Sequence, residues 1–248
     1  MSVGLTIPSI PIPLEVSQKI IPPLANSALH CPGYLPLGAT IKDWSGNGND
    51  GTINGATWTR SNKGLWYLSY DGNDYVGFGD VCKVTTESFA LMTWINVPAI
   101  AGVEVLIQKE NELAVTADAG YAFYLRTSNP YLQLLVTDGT TAVTASACAT
   151  NPADSTWHFC SGNFNSATDV VEVFIDGVSQ GTGTAGAAMG SIDNTENLEF
   201  GRDYNDNTPL QYYLVGSLCL NRIQIGGTLL TAAQYLSIYN RERHLFNV

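Results

Sequence analysis

Beyond residue 31 the apolar positions fall in short, often alternating runs separated by Gly, Asn and Asp, the spacing of strands and tight turns rather than of helices. Residues 87–97 (ESFALMTWINV) place Phe89, Leu91, Thr93 and Ile95 on one face and Ser88, Ala90, Met92, Trp94 and Asn96 on the other. Both faces are largely apolar, so this strand is expected to be covered on two sides. Residues 64–70 and 74–79 flank Asp71-Gly72-Asn73 and read as a hairpin. Residues 103–109, 121–127, 131–137 and 141–146 read as consecutive antiparallel strands, with turns at Ser128-Asn129-Pro130 and Asp138-Gly139. Residues 156–164 and 170–175 lead to Asp176-Gly177, the dipeptide of a type I′ hairpin turn. The small-residue stretch 181–190 (GTGTAGAAMG) is expected to be flexible, with further strands near 197–202 and 212–225.

One helix stands out against this pattern. Thr231-Ala232-Ala233-Gln234 fits a capping box, in which the Thr hydroxyl and the Gln amide satisfy free backbone groups of the first turn, and the spacing predicts a helix over 231–239. The first thirty residues behave differently again. They hold five of the eleven prolines and two charged side chains, Glu15 and Lys19, so they should be extended. Disordered tails are usually polar, whereas this segment offers Ile7, Ile10, Ile12, Leu14, Ile20 and Ile21 for burial; those six are the expected contacts to a partner chain. The organisation read from the pattern is an extended arm at 1–30 and a sandwich or barrel at 31–248.

Composition narrows the function. With 45% hydrophobic residues the chain can bury a substantial single core, and a formal charge of −11 argues against nucleic acid and anionic membrane surfaces as partners. No 18-residue apolar run is present for membrane insertion. The start lacks the basic residues and unbroken apolar run of a secretory signal. Five widely spaced cysteines with no CxxC pair read first as free buried thiols. No G-x-S-x-G elbow occurs, and His30, His158 and His244 lack a nucleophile motif, so His158 reads as a strand residue beside Trp157.

Several segments, taken together and in order, resemble the laminin-G-like, concanavalin A-like jelly-roll superfamily in its bacterial or phage form. These are Asp43–Trp58 (DWSGNGNDGTINGATW), Tyr70–Phe78 (YDGNDYVGF), Trp157-His158 leading to Gly162 and Phe164, the run FIDGV at 174–178, Phe200-Gly201-Arg202, and Gly216–Ile225 followed by the helix. The resemblance covers about residues 31–240 and implies an all-β fold: an antiparallel two-sheet jelly-roll sandwich with one short C-terminal helix, here with an extended N-terminal arm. Arg222 and Ile223 match the late strand directly, but the family's acidic pair falls on Cys219 and Leu220, which removes a carboxylate often placed near a metal.

Glycosidases on this fold carry acidic residues alternating on one strand. Glu110-Asn111-Glu112 and Glu196-Asn197-Leu198-Glu199 are the nearest spacings, and neither reproduces that strand, so no catalytic residue is assigned and the protein is expected not to be an enzyme. No cofactor is expected apart from calcium. Asp43, Asn49 and Asp50, with Asn47, supply the oxygen ligands a hard cation takes and are equally ordinary turn formers. Tyr204, Asn205, Asp206, Asn207 and Tyr212 combine rings with hydrogen-bonding side chains and stand as ligand residues for a glycan, against the reading of a plain surface loop or subunit contact. Two functions follow. One is a structural virion component, a capsid decoration or tail-associated protein tethered through its arm to capsid proteins, tail proteins or its own copies. The other is a carbohydrate-binding adhesion module, extracellular or at a cell surface.

Overall fold

A computed structural model describes residues 21–33, 36–110, 118–203 and 212–248. In chain order the strands are β1 (Ser27–Cys31), β2 (Thr40–Ile41), β3 (Gly51–Asn54), β4 (Thr57–Arg60), β5 (Trp66–Asp71), β6 (Tyr75–Gly77), β7 (Phe89–Asn96) and β8 (Glu104–Lys109). They continue as β9 (Ala119–Leu125), β10 (Leu132–Asp138), β11 (Ala142–Thr144), β12 (Trp157–Asn165), β13 (Val170–Ile175), β14 (Val178–Thr184), β15 (Glu199–Phe200) and β16 (Val215–Ile225). Helix α1 (Ala232–Glu242) and a short 3₁₀ turn (Arg243–Leu245) close the chain.

Among the described residues the strands make two eight-stranded sheets, all of whose pairings are antiparallel. The first runs β14-β13-β12-β7-β16-β5-β4, with β1 paired to the far half of β16; the second runs β11-β10-β9-β8-β15-β6-β3-β2. The architecture is the two-sheet sandwich with a short C-terminal helix that the family resemblance implies. Inward side chains of both sheets, among them Phe89, Leu91, Ile95, Phe123, Leu134, Val173 and Phe200, fill the interior.

The double covering expected of residues 87–97 is present and has a specific cause. While Phe89, Leu91 and Ile95 face the sandwich interior, Ala90, Met92 and Trp94 lie in a second cluster with Phe159, Phe174, Tyr235, Ile238 and Phe246 on the opposite side of the sheet. The helix that provides this cover starts as predicted, with the Gln234 amide N–H donating to Thr231 Oγ1 and the Thr231 N–H to Gln234 Oε1. It runs on to Glu242, three residues past the expected end, because Glu242 reaches back into the sheet. Arg222 Nη2 donates to Glu242 Oε1 at 2.7 Å, Arg222 Nη1 to Oε2 at 3.2 Å, and the Trp94 indole N–H to Oε2 at 2.9 Å. Arg222 and Glu242 are each only 1% exposed. The ring of Trp94 is stacked on Phe246 at 4.2 Å between centroids.

Three expectations need correction. Strands β5 and β6 do not form a hairpin: β5 pairs with β4 and β16 in the first sheet, β6 with β3 and β15 in the second. Asp71-Gly72-Asn73 does turn the chain, with Gly72 at φ +101° and the Asp71 N–H donating to Asp74 Oδ2 at 3.0 Å, but as a corner between sheets. The stretch 181–190 is not uniformly flexible, since Gly181–Thr184 belong to β14. Their small size has a packing reason: a Cβ on Gly181 or Gly183 would collide with the carbonyl oxygen of Ala147 or Thr144. The arm does not reach residue 30. Ser27–Cys31 form β1 on β16, and Ile21, assigned to partner contact, is buried in its own chain in the cluster under α1. Ile7, Ile10, Ile12, Leu14 and Ile20 lie outside the described residues.

Other expectations hold. Strands β8 to β11 are consecutive antiparallel neighbours. Asp176 and Gly177 have φ of 54° and 77°, as a type I′ turn demands. All five cysteines are free and buried.

Candidate functional site

The outer face of the second sheet carries the most unusual chemistry of the described residues. Strand registers align one residue from each strand in a row across the whole sheet: Thr144, Leu135, Ala122, Gln108, Glu199, Gly77, Thr52 and Thr40. Because side chains alternate, these face away from the interior that Phe123, Leu134 and Phe200 fill. The row is accessible at its Thr52 end, while Glu199, Gln108, Ala122 and Leu135 are buried. Three strand spacings separate Gln108 from Thr52, about 14 Å.

Two long polar side chains in the middle of this row are held in fixed positions. Arg202 gives Nε to Glu199 Oε2 at 2.6 Å and Nη2 to Glu199 Oε1 at 2.8 Å, a bidentate pair that uses both carboxylate oxygens. Its guanidinium also lies over the Tyr75 ring, 3.3 Å from the centroid. Gly201 makes this possible: at φ +86° it turns the chain from β15 so that Arg202 folds back on Glu199, and a Cβ there would meet the Tyr70 ring. Gln108 donates from Nε2 to Asp203 Oδ1 at 2.6 Å and to the Glu110 carbonyl at 2.8 Å, which fixes its amide orientation. Its acceptor, Oε1, is fully buried without a hydrogen-bond partner. An acceptor buried without a partner costs about 1–3 kcal/mol, and it points the site toward a donor.

Next to this polar row lies an apolar patch on the same face. Val105, Ala122, Tyr124 and Leu135 cluster there, with Val103, Ala142 and Tyr212 packed against them. The Tyr124 hydroxyl donates to Gln133 Oε1 at 2.9 Å, and Arg126 Nη1 donates to the same oxygen at 3.3 Å. Of the sequence-assigned ligand residues, Tyr212 is thus placed at the edge of this face. Tyr204, Asn205, Asp206 and Asn207 lie outside the described residues, and the chain enters their segment directly from Asp203. Gln108, Glu199 and Arg202 carry the site and were not assigned to it from sequence. Arg202 sat within a recognised family segment and Glu199 within a noted acidic spacing, but Gln108 gave no signal beyond its place in an alternating strand.

The calcium residues are built into a different place. Asp43 accepts the His30 N–H at 3.0 Å and the Ser45 N–H at 2.8 Å on Oδ1, and the Ser45 hydroxyl at 2.8 Å and the Asn49 N–H at 3.0 Å on Oδ2. Asp50 pairs with Lys42 and accepts the Asp43 N–H; Asn49 donates to the Ala28 carbonyl. Donors therefore already surround both carboxylates, and these contacts fold the 43–50 loop against β1. Among the described residues no three His, Cys, Asp or Glu side chains converge as a metal set. His158 sits between carboxylates, with Nδ1 2.8 Å from Asp176 Oδ2 and Nε2 3.2 Å from Asp154 Oδ1. The Asp176 hydrogen bond is the main reason its pKa is raised.

Comparison with solved structures recovers this fold in proteins of low sequence identity. The binding domain of Paraclostridial Mosquitocidal Protein 1 superposes with a TM-score of 0.65 at 15% identity, covering 87% of this chain and 52% of that one. The binding domain of botulinum neurotoxin DC, solved in complex with SialylT, gives 0.63 at 13% identity, covering 87% and 51%. The chain therefore spans about half the length of these toxin binding domains. Domain 4 of AbnA, an extracellular GH43 arabinanase from Geobacillus stearothermophilus solved in complex with arabinotriose, gives 0.63 at 14% identity and matches along 86% of this chain and 98% of the other. No curated protein sequence matches the chain. A family model does match, over residues 70–226, from the end of β5 to the end of β16. The chain belongs to the concanavalin A-like lectin/glucanases superfamily.

Proposed function

We propose that the protein is a non-catalytic carbohydrate-binding domain whose ligand lies along the Thr52–Gly77–Glu199–Gln108 row of the second sheet. The observation that carries this reading is the buried, unpartnered Oε1 of Gln108 in the middle of that row, an acceptor that a sugar hydroxyl satisfies. Glu199, the carboxylate beside it, has both oxygens held by Arg202 and is ill placed to shuttle protons, which supports binding without hydrolysis. The superposition on nearly the whole of the arabinotriose-bound arabinanase domain supports the same reading. The test is a glycan array probed with the full chain and with Gln108→Leu, both checked for folding by circular dichroism. Binding by the parent that falls about tenfold or more in the variant is expected; binding unchanged in the variant refutes the site.

A second reading, attachment to a virion as a decoration or tail-associated protein, is supported by the composition of the N-terminal arm. With Ile21 buried in its own chain, the apolar residues left for such a tether are Ile7, Ile10, Ile12, Leu14 and Ile20. Light scattering on the full chain and on a chain lacking residues 1–20 tests it. Identical monomers that both fail to join a shell would remove this reading.

A further inference from the structure

Resting on the carbohydrate reading, we infer that Gly77 is the seat of the sugar: one ring lies directly on its backbone, between Thr52 and Glu199, where any side chain would exclude it. Among the described residues the strands hold seven glycines, and this one stands apart. A Cβ added at Gly51, Gly120, Gly162, Gly181, Gly183 or Gly216 would come within 3.2 Å of another residue's heavy atom, so close packing accounts for glycine at those six. At Gly77 the nearest atoms would be Tyr75 Cε2 at 3.8 Å and Glu199 Oε1 at 3.9 Å, ordinary van der Waals separations. Nor does the backbone require glycine there, because Gly77 is extended strand outside the left-handed region.

A strand glycine that neither conformation nor packing requires is a cost to the fold. It loses more conformational entropy on folding than any other residue and leaves a gap in the sheet surface, and close approach of a ligand to the backbone is what such a gap allows. The surroundings of Gly77 fit that role. Register sets it between Thr52 of β3 and Glu199 of β15, two strand spacings or about 10 Å apart, and its missing side chain is on the outer face because Val76 points into the core. Thr52 is exposed, Tyr75 and Gly77 are partly exposed and Glu199 is buried, so the gap lies where the accessible end of the row meets its closed middle. Tyr75, two residues back on the same face, carries the Arg202 guanidinium over its ring and forms a fixed wall along the strand. A ring resting on Gly77 would have the Thr52 hydroxyl on one side and the edge of Tyr75 at its end, a hydrogen-bonding group and an aromatic surface of the kinds that orient a sugar.

The experiment measures thermal stability and, by calorimetry, binding of arabinotriose, xylotriose and maltotriose to the full chain and to Gly77→Ala, Gly77→Val and Gly186→Ala. Gly186 is an exposed glycine after β14 whose Cβ would meet nothing within 4 Å, and it serves as the control. Gly77→Ala is expected to raise Tm by about 1–4 °C, and Gly77→Val to be at least as stable as the parent. Both should bind more weakly than the parent, the valine variant by about tenfold or more, while Gly186→Ala binds as the parent does. A fall in Tm in both Gly77 variants would make this glycine a structural requirement and overturn the inference, whatever the sugars do. Full binding by Gly77→Val, with Gln108→Leu impaired, overturns the inference and leaves the carbohydrate reading standing. Silence of the parent toward all three sugars overturns the carbohydrate reading itself and the inference with it.

Discussion

Replacing Glu242 by Met should damage this protein more than almost any other single change on its surface helix, although no ligand site is near. Glu242 closes α1 at the end where the helix dipole disfavours a negative charge, so local helix energetics give it no reason to be there. Its role is to neutralise Arg222, which is 1% exposed in the middle of the first sheet, and to accept the Trp94 indole N–H. Methionine would fill the space and leave a buried guanidinium without its counter-charge, a loss of about 3–5 kcal/mol. That is a large share of the roughly 5–15 kcal/mol by which a domain is stable. For a chain of this length it corresponds to a fall in Tm of about 10 °C. Urea unfolding followed by tryptophan fluorescence measures it, with an unchanged m-value showing that the same surface is exposed. The double variant R222M/E242M removes charge and counter-charge together and should recover most of the loss. A single-variant loss below about 1 kcal/mol, or a double variant no better than the single, would refute the account of α1 as clamped by a buried ion pair.

Two further outcomes can be measured on the same instrument. The His30 side chain is fully buried, its Nε2–H donating to the Ile21 carbonyl at 3.0 Å, and burial lowers its pKa from 6.5 to about 4. The unfolded chain takes up that proton first as pH falls, so stability drops between pH 6.5 and 4 by about 3 kcal/mol in total. His158 has the opposite sign. Its raised pKa gives a contribution fully present below 6.5 and lost as pH rises through the folded value, so acidification from pH 7 to 5 should cost least in H30Q and most in H158Q. The reverse order would contradict both assignments. Gly177→Ala should cost at least about 2 kcal/mol, because φ is +77° and the added Cβ overlaps the Leu236 backbone of α1. A thermal unfolding shift near zero would mean that the β13–β14 turn does not bear on the helix.

The sequence pattern was legible where structure is local. The capping box at Thr231, the type I′ turn at Asp176-Gly177 and the two-sided burial of residues 89–96 each depend on neighbours a few residues away or on simple alternation. It misled where a local signal had to choose a distant partner. Asp71-Gly72-Asn73 makes the same turn whether the strands beside it pair with each other or separate into two sheets, and only the rest of the fold decides. The candidate site failed to show for the same reason. Gln108, Glu199 and Arg202 come from β8, β15 and the turn after β15, and what unites them is a register across the second sheet that no spacing along the chain encodes. The oxygen-rich loop at 43–50 was visible because its residues are adjacent, and its hydrogen bonds hold the loop itself together.

The position of β16 sets the order in which the molecule can assemble. β1 pairs with β16, joining Cys31 to Asn221, and β5 pairs with its other half, joining Asp71 to Val215. On the opposite edge β16 completes β7. The earliest described strand therefore waits for the latest before it has a paired strand, although the 43–50 loop can bond to it earlier. During synthesis the β8–β11 meander can form from its own hairpins, whereas the first sheet keeps open edges on β5 and β7 until residue 225 has been made. Folding of this sandwich is consequently a closing event that waits for β16, and the chain before β16 is made is the form most exposed to pairing with a neighbour.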